Sequence, residues 1–253
     1  MERKSYYFTN KESVSYEEVY ADDDVFEKFY EIECGSGADL VCIPDGVVDL
    51  QCVWKGDETH IIVCGNVKNG RASKIMDFDK CFGARFHVGV LPKELKIRVG
   101  EIINNRIELN QIMNVDSILK YMNKELFLEQ KADVMLSLFG GTISEENIIT
   151  NNIIKKIEHQ KGHINVNDII EKIGYSHRYV NYVFKDNMGI SVKKYAGIVR
   201  MQESIMYLLN NKIDLIYDEL GYYDQAHFIK DFKNFYSVTP TSMMKMRRKI
   251  NFL

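Results

Sequence analysis

No stretch of this sequence stays apolar for more than a few consecutive residues, so none reads as a helix that crosses a bilayer. The first residues, Met1-Glu2-Arg3-Lys4-Ser5, lead into polar sequence and lack the apolar centre of a secretion signal. Cysteine is scarce: five residues, at 34, 42, 52, 64 and 81, an odd count without a close pair. That pattern points to reduced thiols in a cytoplasmic protein and away from a disulfide framework. No Cys-x-x-Cys is present to hold zinc, and His60 and His87 stand alone where a metal centre needs paired histidines. Gly35-Ser36-Gly37 lacks the further glycine of a dinucleotide-binding loop, and neither a phosphate-binding loop nor a serine elbow occurs. The expectation is a protein that is not an enzyme, carries no catalytic or metal-ligating residues, needs no cofactor and has no membrane partner.

What is present has a globular balance, 45% hydrophobic and 27% charged over 253 residues, which is room for two domains. A net charge of −3 argues against a nucleic-acid partner for the chain taken whole. The halves differ, however. From Ser144 onward there are 16 Lys and Arg against 12 Asp and Glu, a net +4, while residues 1–143 hold 17 against 24, a net −7. The basic half ends in Lys245-Met246-Arg247-Arg248-Lys249. Such a surface predicts moderate, salt-sensitive binding to phosphate.

The same basic half is built on a repeat. Ile169-Ile170-Glu171-Lys172-Ile173-Gly174-Tyr175-Ser176 opens one copy, which runs through Phe184-Lys185 to Gly189. Leu215-Ile216-Tyr217-Asp218-Glu219-Leu220-Gly221-Tyr222 opens the other, which runs from Gln225 through Phe232-Lys233 to Ser237. Gly174 and Gly221 lie 47 positions apart, Phe184 and Phe232 48 apart. Each copy reads as short helix, glycine turn and second helix, a helix-turn-helix at about 166–187 and again at about 213–236. The glycines supply the left-handed residue that a steep turn needs, and Ser176 and Asp224 sit where N-caps belong. Helical spacing predicts Tyr179, Val180, Val183, Phe184 and Asn187 on the core side of the first copy's second helix, with Arg178, Asn181, Tyr182 and Lys185 outside. In the second copy it predicts Phe228, Phe232 and Phe235 inside, with Gln225, His227, Lys230 and Lys233 outside. Side chains of these kinds grip phosphates and read base edges. A single polar helix face is ordinarily just solvated; two in tandem argue for a shared partner, double-stranded DNA.

Between the copies, Ser191–Asn210 contains no proline and is apolar at Tyr195, Ile198, Val199, Ile205, Met206, Leu208 and Leu209. Its 20 residues would make a strut of roughly 30 Å, close to the ~34 Å between successive major grooves on one face of the duplex. One chain could then read roughly two turns.

Residues 147–248 resemble the DNA-binding domain of the AraC/XylS family of bacterial transcription regulators. The resemblance is carried by Gly174-Tyr175-Ser176, Phe184-Lys185, Gly189-Ile190-Ser191, Tyr195, Arg200 and Ile213, and by a run from Gly221-Tyr222 through Asp224-Gln225, His227-Phe228 and Phe232-Lys233 to Val238-Thr239-Pro240. The chain departs from the family at Ile170 and Tyr217, where a small alanine is usual. The resemblance implies base or backbone contacts from Arg178, Asn181, Tyr182, Gln225, His227 and Lys230, a promoter or operator as target, and RNA polymerase as a further partner. The missing cysteine pattern separates the chain from DNA-repair proteins that join a zinc-bound, methyl-accepting cysteine to such a domain.

Residues 1–105 read as short strands rich in β-branched and aromatic residues: Tyr6-Phe8, Phe26-Cys34, Leu40-Ile43, Val47-Trp54, His60-Cys64, Phe82-Val90 and Lys96-Val99. Turn residues such as Gly35-Ser36-Gly37, Pro44-Asp45-Gly46, Lys55-Gly56-Asp57 and Asn69-Gly70 separate them, which predicts an antiparallel barrel or sandwich. Ile43 to Leu50 and Gly83-Ala84-Arg85-Phe86 resemble the cupin-like regulatory domain found ahead of some AraC-type domains. Asp49, Trp54, Arg85 and His87 are the candidate contacts for a small-molecule effector in such a barrel. Asp49 and Arg85 read equally as a buried ion pair between strands, Asp45 as the cap of its own turn, and Trp54 as core. A barrel that holds no ligand and serves as a dimerisation or protein-partner module is the alternative.

From Ile107 to Phe139 the period becomes helical, with an apolar stripe at Ile112, Val115, Ile118, Leu119, Met122, Leu126, Met135, Leu136 and Phe139. It suits packing on the barrel, and the resemblance implies a homodimer through helices placed here. Gly140-Gly141-Thr142-Ile143-Ser144 then reads as a flexible joint. The expectation is an α+β chain of two domains. A cupin-like antiparallel β-barrel (1–105) precedes a helical packing or dimerisation segment (106–139) and a linker (140–146). An all-α DNA-binding domain (147–253) of two helix-turn-helix motifs on one long helix follows.

Overall fold

The computed structural model describes residues 7–9, 14–34, 40–42, 44–66, 78–141, 145–247 and 251–252. The turns expected at Gly35-Ser36-Gly37 and Asn69-Gly70, the linker residues Thr142-Ile143-Ser144 and the basic Arg248 and Lys249 lie outside them. The N-terminal part contributes β1 (Tyr7–Thr9), β2 (Val14–Tyr20), β3 (Phe26–Cys34), β4 (Leu40–Cys42), β5 (Asp49–Lys55), β6 (Glu58–Cys64), β7 (Lys80–Phe86) and β8 (Arg106–Glu108). Two helices close it, α1 (Asp116–Tyr121) and α2 (Leu128–Phe139). The C-terminal part is helical: α3 (Glu145–His159), α4 (Val166–Ile173), α5 (His177–Met188), α6 (Val192–Leu209), α7 (Asp214–Asp218), α8 (Gln225–Tyr236) and α9 (Pro240–Arg247), then a two-residue strand β9 (Asn251–Phe252).

Six strands form one antiparallel sheet in the order β2-β3-β7-β5-β6-β8. Alternation along them sorts side chains by face. Phe29, Leu50, Cys52, Trp54, Ile61, Val63, Phe82, Ala84 and Phe86 face a core that Ile118, Met122, Leu128, Met135 and Phe139 of α1 and α2 cover. The opposite face carries Tyr30, Ile32, Val53, Ile62 and Cys81. Tyr30 stands opposite Gly83 in the register, and a Cβ at 83 would lie 2.0 Å from its ring, so the glycine makes room for the tyrosine. A second, three-stranded sheet, β4-β1-β9, pairs the chain's C-terminal strand with its N-terminal one.

The structure corrects the sequence reading of the N-terminal part, where Leu119 of the expected packing stripe is also exposed. The sheet does not close into a barrel: β2 and β8 are its edges, and β8, only three residues long, offers few backbone groups to pair with. Lys96-Val99 is not a strand, because Lys96 adopts a left-handed φ of 50° between the short 3-10 turns Lys93–Leu95 and Val99–Glu101. Ile107, read as the start of a helical stretch, belongs to β8, paired with Val63.

The helical part has two cores on one spine. Val192, Tyr195, Ala196, Ile198 and Val199 of α6 pack with Ile153, Ile157, Ile170, Val180 and Phe184. Met201, Ile205, Tyr207 and Leu208, further along the same helix, pack with Ile216, Leu220, Phe228 and Phe232. Among the described residues, Val47 and Val88 of the sheet-bearing part join the first of these cores and not the second. At ~1.5 Å per residue the 18 residues of α6 span about 27 Å.

Candidate nucleic-acid interface

Each helix-turn-helix is set by its turn and caps. Gly174 and Gly221 take φ of 81° and 70°, the left-handed turn that the short helices α4 and α7 lead into. Ser176 Oγ accepts the Tyr179 N–H at 3.2 Å and Asp224 Oδ1 accepts the His227 N–H at 2.7 Å, which fixes where α5 and α8 begin. Val180, Phe184 and Met188 of α5, and Phe228, Phe232 and Tyr236 of α8, are buried. The departures at 170 and 217 are accommodated: Ile170 is buried in the first core, and Tyr217 stands edge-on to Phe228 with ring centroids 6.5 Å apart.

Arg178, Asn181, Tyr182 and Lys185 are all exposed on α5, and Gln225, His227, Lys230 and Lys233 on α8. Tyr182, 67% exposed, is a large aromatic ring presented to solvent. Asn181 Nδ2 donates to the His177 carbonyl at 2.9 Å. His227 lies 3.8 Å from Asp231 and edge-on to Tyr222. Tyr179, assigned by spacing to the core face, is instead 41% exposed and packs on the exposed ring of Tyr175, centroids 5.3 Å apart. The next residue, Val180, takes the core position at this level of α5 instead. The repeat carried that signal: at the 48-residue offset joining Phe184 to Phe232, Tyr179 corresponds to His227.

The two motifs are braced as well as joined. Lys161 Nζ, in the turn after α3, pairs with Glu219 beside α7 and donates to the Tyr207 hydroxyl of α6 at 2.6 Å. His163 lies against Gly221, where a Cβ would come within 2.3 Å of its ring. Between α3 and α4 opens a cleft of about 490 Å³ lined by Lys155, Lys156, His159, Gln160, His163 and Asp168 among others. Spacing arguments passed over this cleft, although the density of Lys and His from 155 to 163 is visible in the sequence.

The candidate effector residues are mutually engaged. Arg85 Nε donates to Asp49 Oδ1 at 2.9 Å and Nη2 to Oδ2 at 3.1 Å, while Nη1 pairs with Asp45 Oδ2 at 2.8 Å. Burial pushes the Asp49 carboxyl up against the pull of Arg85, and the second carboxylate adds to the push. Asp45 also caps its own loop, Oδ1 accepting the Val47 N–H at 3.2 Å. Trp54 is buried in the sheet core beneath the ammonium of Lys131, 5.3 Å from its ring. His87 Nε2 lies 3.0 Å from the Asp23 carbonyl oxygen. The structure thus joins Asp49 to Arg85 and leaves Trp54 and His87 apart from them. Burial raises the thiols of Cys52 and Cys64 to about 12 and that of Cys34 to about 11, so all three stay protonated. Among the described residues no three His, Cys, Asp or Glu side chains group to hold a metal, and no helix is long and apolar enough to cross a membrane.

The loop that Asp45 caps is also the seam with the helical part. Pro44 O accepts from Gln202 Nε2 of α6 at 3.2 Å. A Cβ on Gly46 would meet the Tyr195 ring at 2.8 Å, one on Gly89 would meet Thr150 at 2.9 Å, and one on Gly189 would meet Ile103 at 2.3 Å. The backbone approaches this closely because none of the three residues carries a side chain.

Comparison with known proteins agrees with this geometry. The family described as "Helix-turn-helix domain" matches residues 169–246. The Msm operon regulatory protein of Streptococcus mutans is 34% identical over 98 residues, covering 37% of this chain and 35% of that protein. The uncharacterized HTH-type transcriptional regulator YtdP of Bacillus subtilis is 23% identical over 196 residues, covering 68% of this chain and 25% of its own length. The chain therefore aligns with about a third and a quarter of the length of these two relatives. Among solved structures, ToxT from Vibrio cholerae is similar over 96% of this chain and 99% of its own, at 11% identity and a TM-score of 0.43. The C-terminal domain of AraT, a response regulator from Geobacillus stearothermophilus, covers 41% of this chain and 89% of its own, at 23% identity and a TM-score of 0.38. The two capped glycine-turn motifs on one spine coincide with the residues matched by that family, 169–246, so this region of the chain is a helix-turn-helix domain.

Proposed function

We propose that the chain is a sequence-specific DNA-binding transcription regulator, with α5 and α8 as its two reading helices. The observation that carries this reading is the exposure of Arg178, Asn181, Tyr182, Lys185, Gln225, His227, Lys230 and Lys233 on two equivalently capped helices held by α6 and the Lys161 brace. Arg178 and Asn181 have the donors and acceptors for purine edges, while Lys185 and Lys233 suit phosphate. Lys155, Lys156 and the cleft histidines add basic groups on α3 and the turn after it, beside the first motif. The test is titration of a labelled duplex, selected from a randomised pool, at several salt concentrations. Arg178→Ala should weaken binding by about 1–3 kcal/mol, and Lys233→Ala should flatten the salt dependence by roughly one charge. If neither variant differs from wild type, the helices are not the interface.

Residues 1–105 then act as a control unit, with 106–139 as its packing segment, 140–146 as the joint and 147–253 as the reader. A small effector that draws Arg85 away from Asp45 would loosen the loop at 44–47 and its grip on α6. A ligand shifts this equilibrium only by its differential affinity for the two arrangements. The second reading, control by a protein partner or a second copy with no small ligand, draws on two observations. Arg85 is already met by two carboxylates, and Leu119, Tyr121 and Phe127 stand exposed at and beside α1. RNA polymerase is the further partner that the domain type implies. Calorimetry with cell metabolites against wild type and Arg85→Met separates the two readings.

A further inference from the structure

The two reading helices correspond position by position yet carry opposite chemistry. Both are 12 residues long, capped by Ser176 and Asp224, with Val180, Phe184 and Met188 buried in one where Phe228, Phe232 and Tyr236 are buried in the other. Left-handed C-caps follow at Gly189 and Ser237. Under this correspondence Lys185 falls on Lys233 and Tyr182 on Lys230, so both helices keep a cation outside. Arg178, however, falls on Ala226, which is exposed, and Asn181 falls on Ile229, which is half-buried.

Arg and Asn read guanine and adenine through paired hydrogen bonds in the major groove; Ala and Ile can make none. What an exposed apolar side chain can recognise there is the 5-methyl group of thymine. It also discriminates against cytosine, whose amino group would be covered without a partner. Resting on the DNA-binding reading above, we propose that α8 reads its half of the target through thymine methyl groups. Ala226 and Ile229 are the specificity-determining residues, Lys230 and Lys233 hold the backbone, and α5 reads by hydrogen bonds from Arg178 and Asn181. The target is chemically lopsided at the equivalent positions: methyl groups are read under Ala226 and Ile229 of α8, donors and acceptors under Arg178 and Asn181 of α5, with Gln225 and His227 left to make polar contacts beside the methyls.

Uracil tests this directly, because it differs from thymine only by the methyl. With the full chain and a duplex selected from a randomised pool, protection mapping locates the two contacted segments, and thymines in each are replaced by uracil. The expected result is a roughly three- to fivefold loss of affinity per methyl removed, confined to one segment. The double variant Ala226→Arg, Ile229→Asn erases that loss, whereas Arg178→Ala leaves it in place. Ala226 is exposed and Ile229 half-buried, so circular dichroism and the urea midpoint check that the double variant keeps its helices and its packing. A selected duplex that tolerates uracil in both segments, or a uracil effect that survives the double variant, overturns the assignment while leaving DNA binding intact. If no duplex is selected, the DNA-binding reading falls and this inference with it.

Discussion

Glu158 is a carboxyl group that the fold holds against its preference. It lies on α3, its Oε1 accepts the Tyr195 hydroxyl proton at 3.0 Å, and burial raises its pKa from the ordinary 4.5 to about 7. A carboxyl with a raised folded-state pKa adds stability that is fully present below its unfolded value and is lost as pH rises through the folded one. The wild-type chain should therefore lose about 2–3 kcal/mol between pH 5 and pH 8 from this residue, allowing for its partial exposure. Glu158→Gln removes that component, so urea midpoints across the range should show the two proteins diverging. Parallel curves would mean that Glu158 titrates as an ordinary surface carboxylate. Single residues were unevenly legible. The Asp49–Arg85 pair could be anticipated because both fall on strands with the right alternation. Asp45's double duty, capping one loop and holding Arg85, depends on a tertiary approach that no local pattern encodes.

Among the elements, α8 depends most on its cap. It follows α7, which is only five residues long, and Asp224 supplies an acceptor to a backbone N–H of its first turn. Asp224→Ala should destabilise the chain by ~1 kcal/mol, as should Ser176→Ala at the start of α5. Denaturant midpoints report both, and an unshifted midpoint would show that tertiary packing alone fixes these helix starts. The helices were legible because capping residues, glycine turns and a 3.6-residue period all pointed the same way. Strand β3 was legible from its aromatic residues Phe26, Phe29 and Tyr30 with Ile32, between turn residues. The edges were not. β2 is largely exposed, with Glu17 and Glu18 side by side in its middle, and β8 is three residues adjoining a helical pattern, so neither shows a buried stripe. Whether a sheet closes is decided at its edges, which is why an open sheet was read as a barrel.

Across the whole molecule, and among the described residues, the apolar contact between the sheet-bearing part and the helical part runs through the first motif's core and not the second's, while β9, beyond α9, pairs with β1. A change at the seam should therefore reach α5 before α8. Gly46→Ala combines a strained φ of 82° with a clash against the buried Tyr195 ring. Gly56→Ala, at φ 57° with open space around it, is strained in the same way but clashes with nothing. Both should lower stability, by about 1–3 kcal/mol, but only the Gly46 variant should speed proteolysis at 140–146 and raise the radius of gyration. Equal behaviour of the two would show that the seam is not held at Gly46. The three seam glycines are far apart along the chain yet meet at one junction, so they behave genetically as a single locus. A screen for altered domain coupling should recover changes at 46, 89 and 189 with one shared phenotype, each acting as a splinter driven into the same joint.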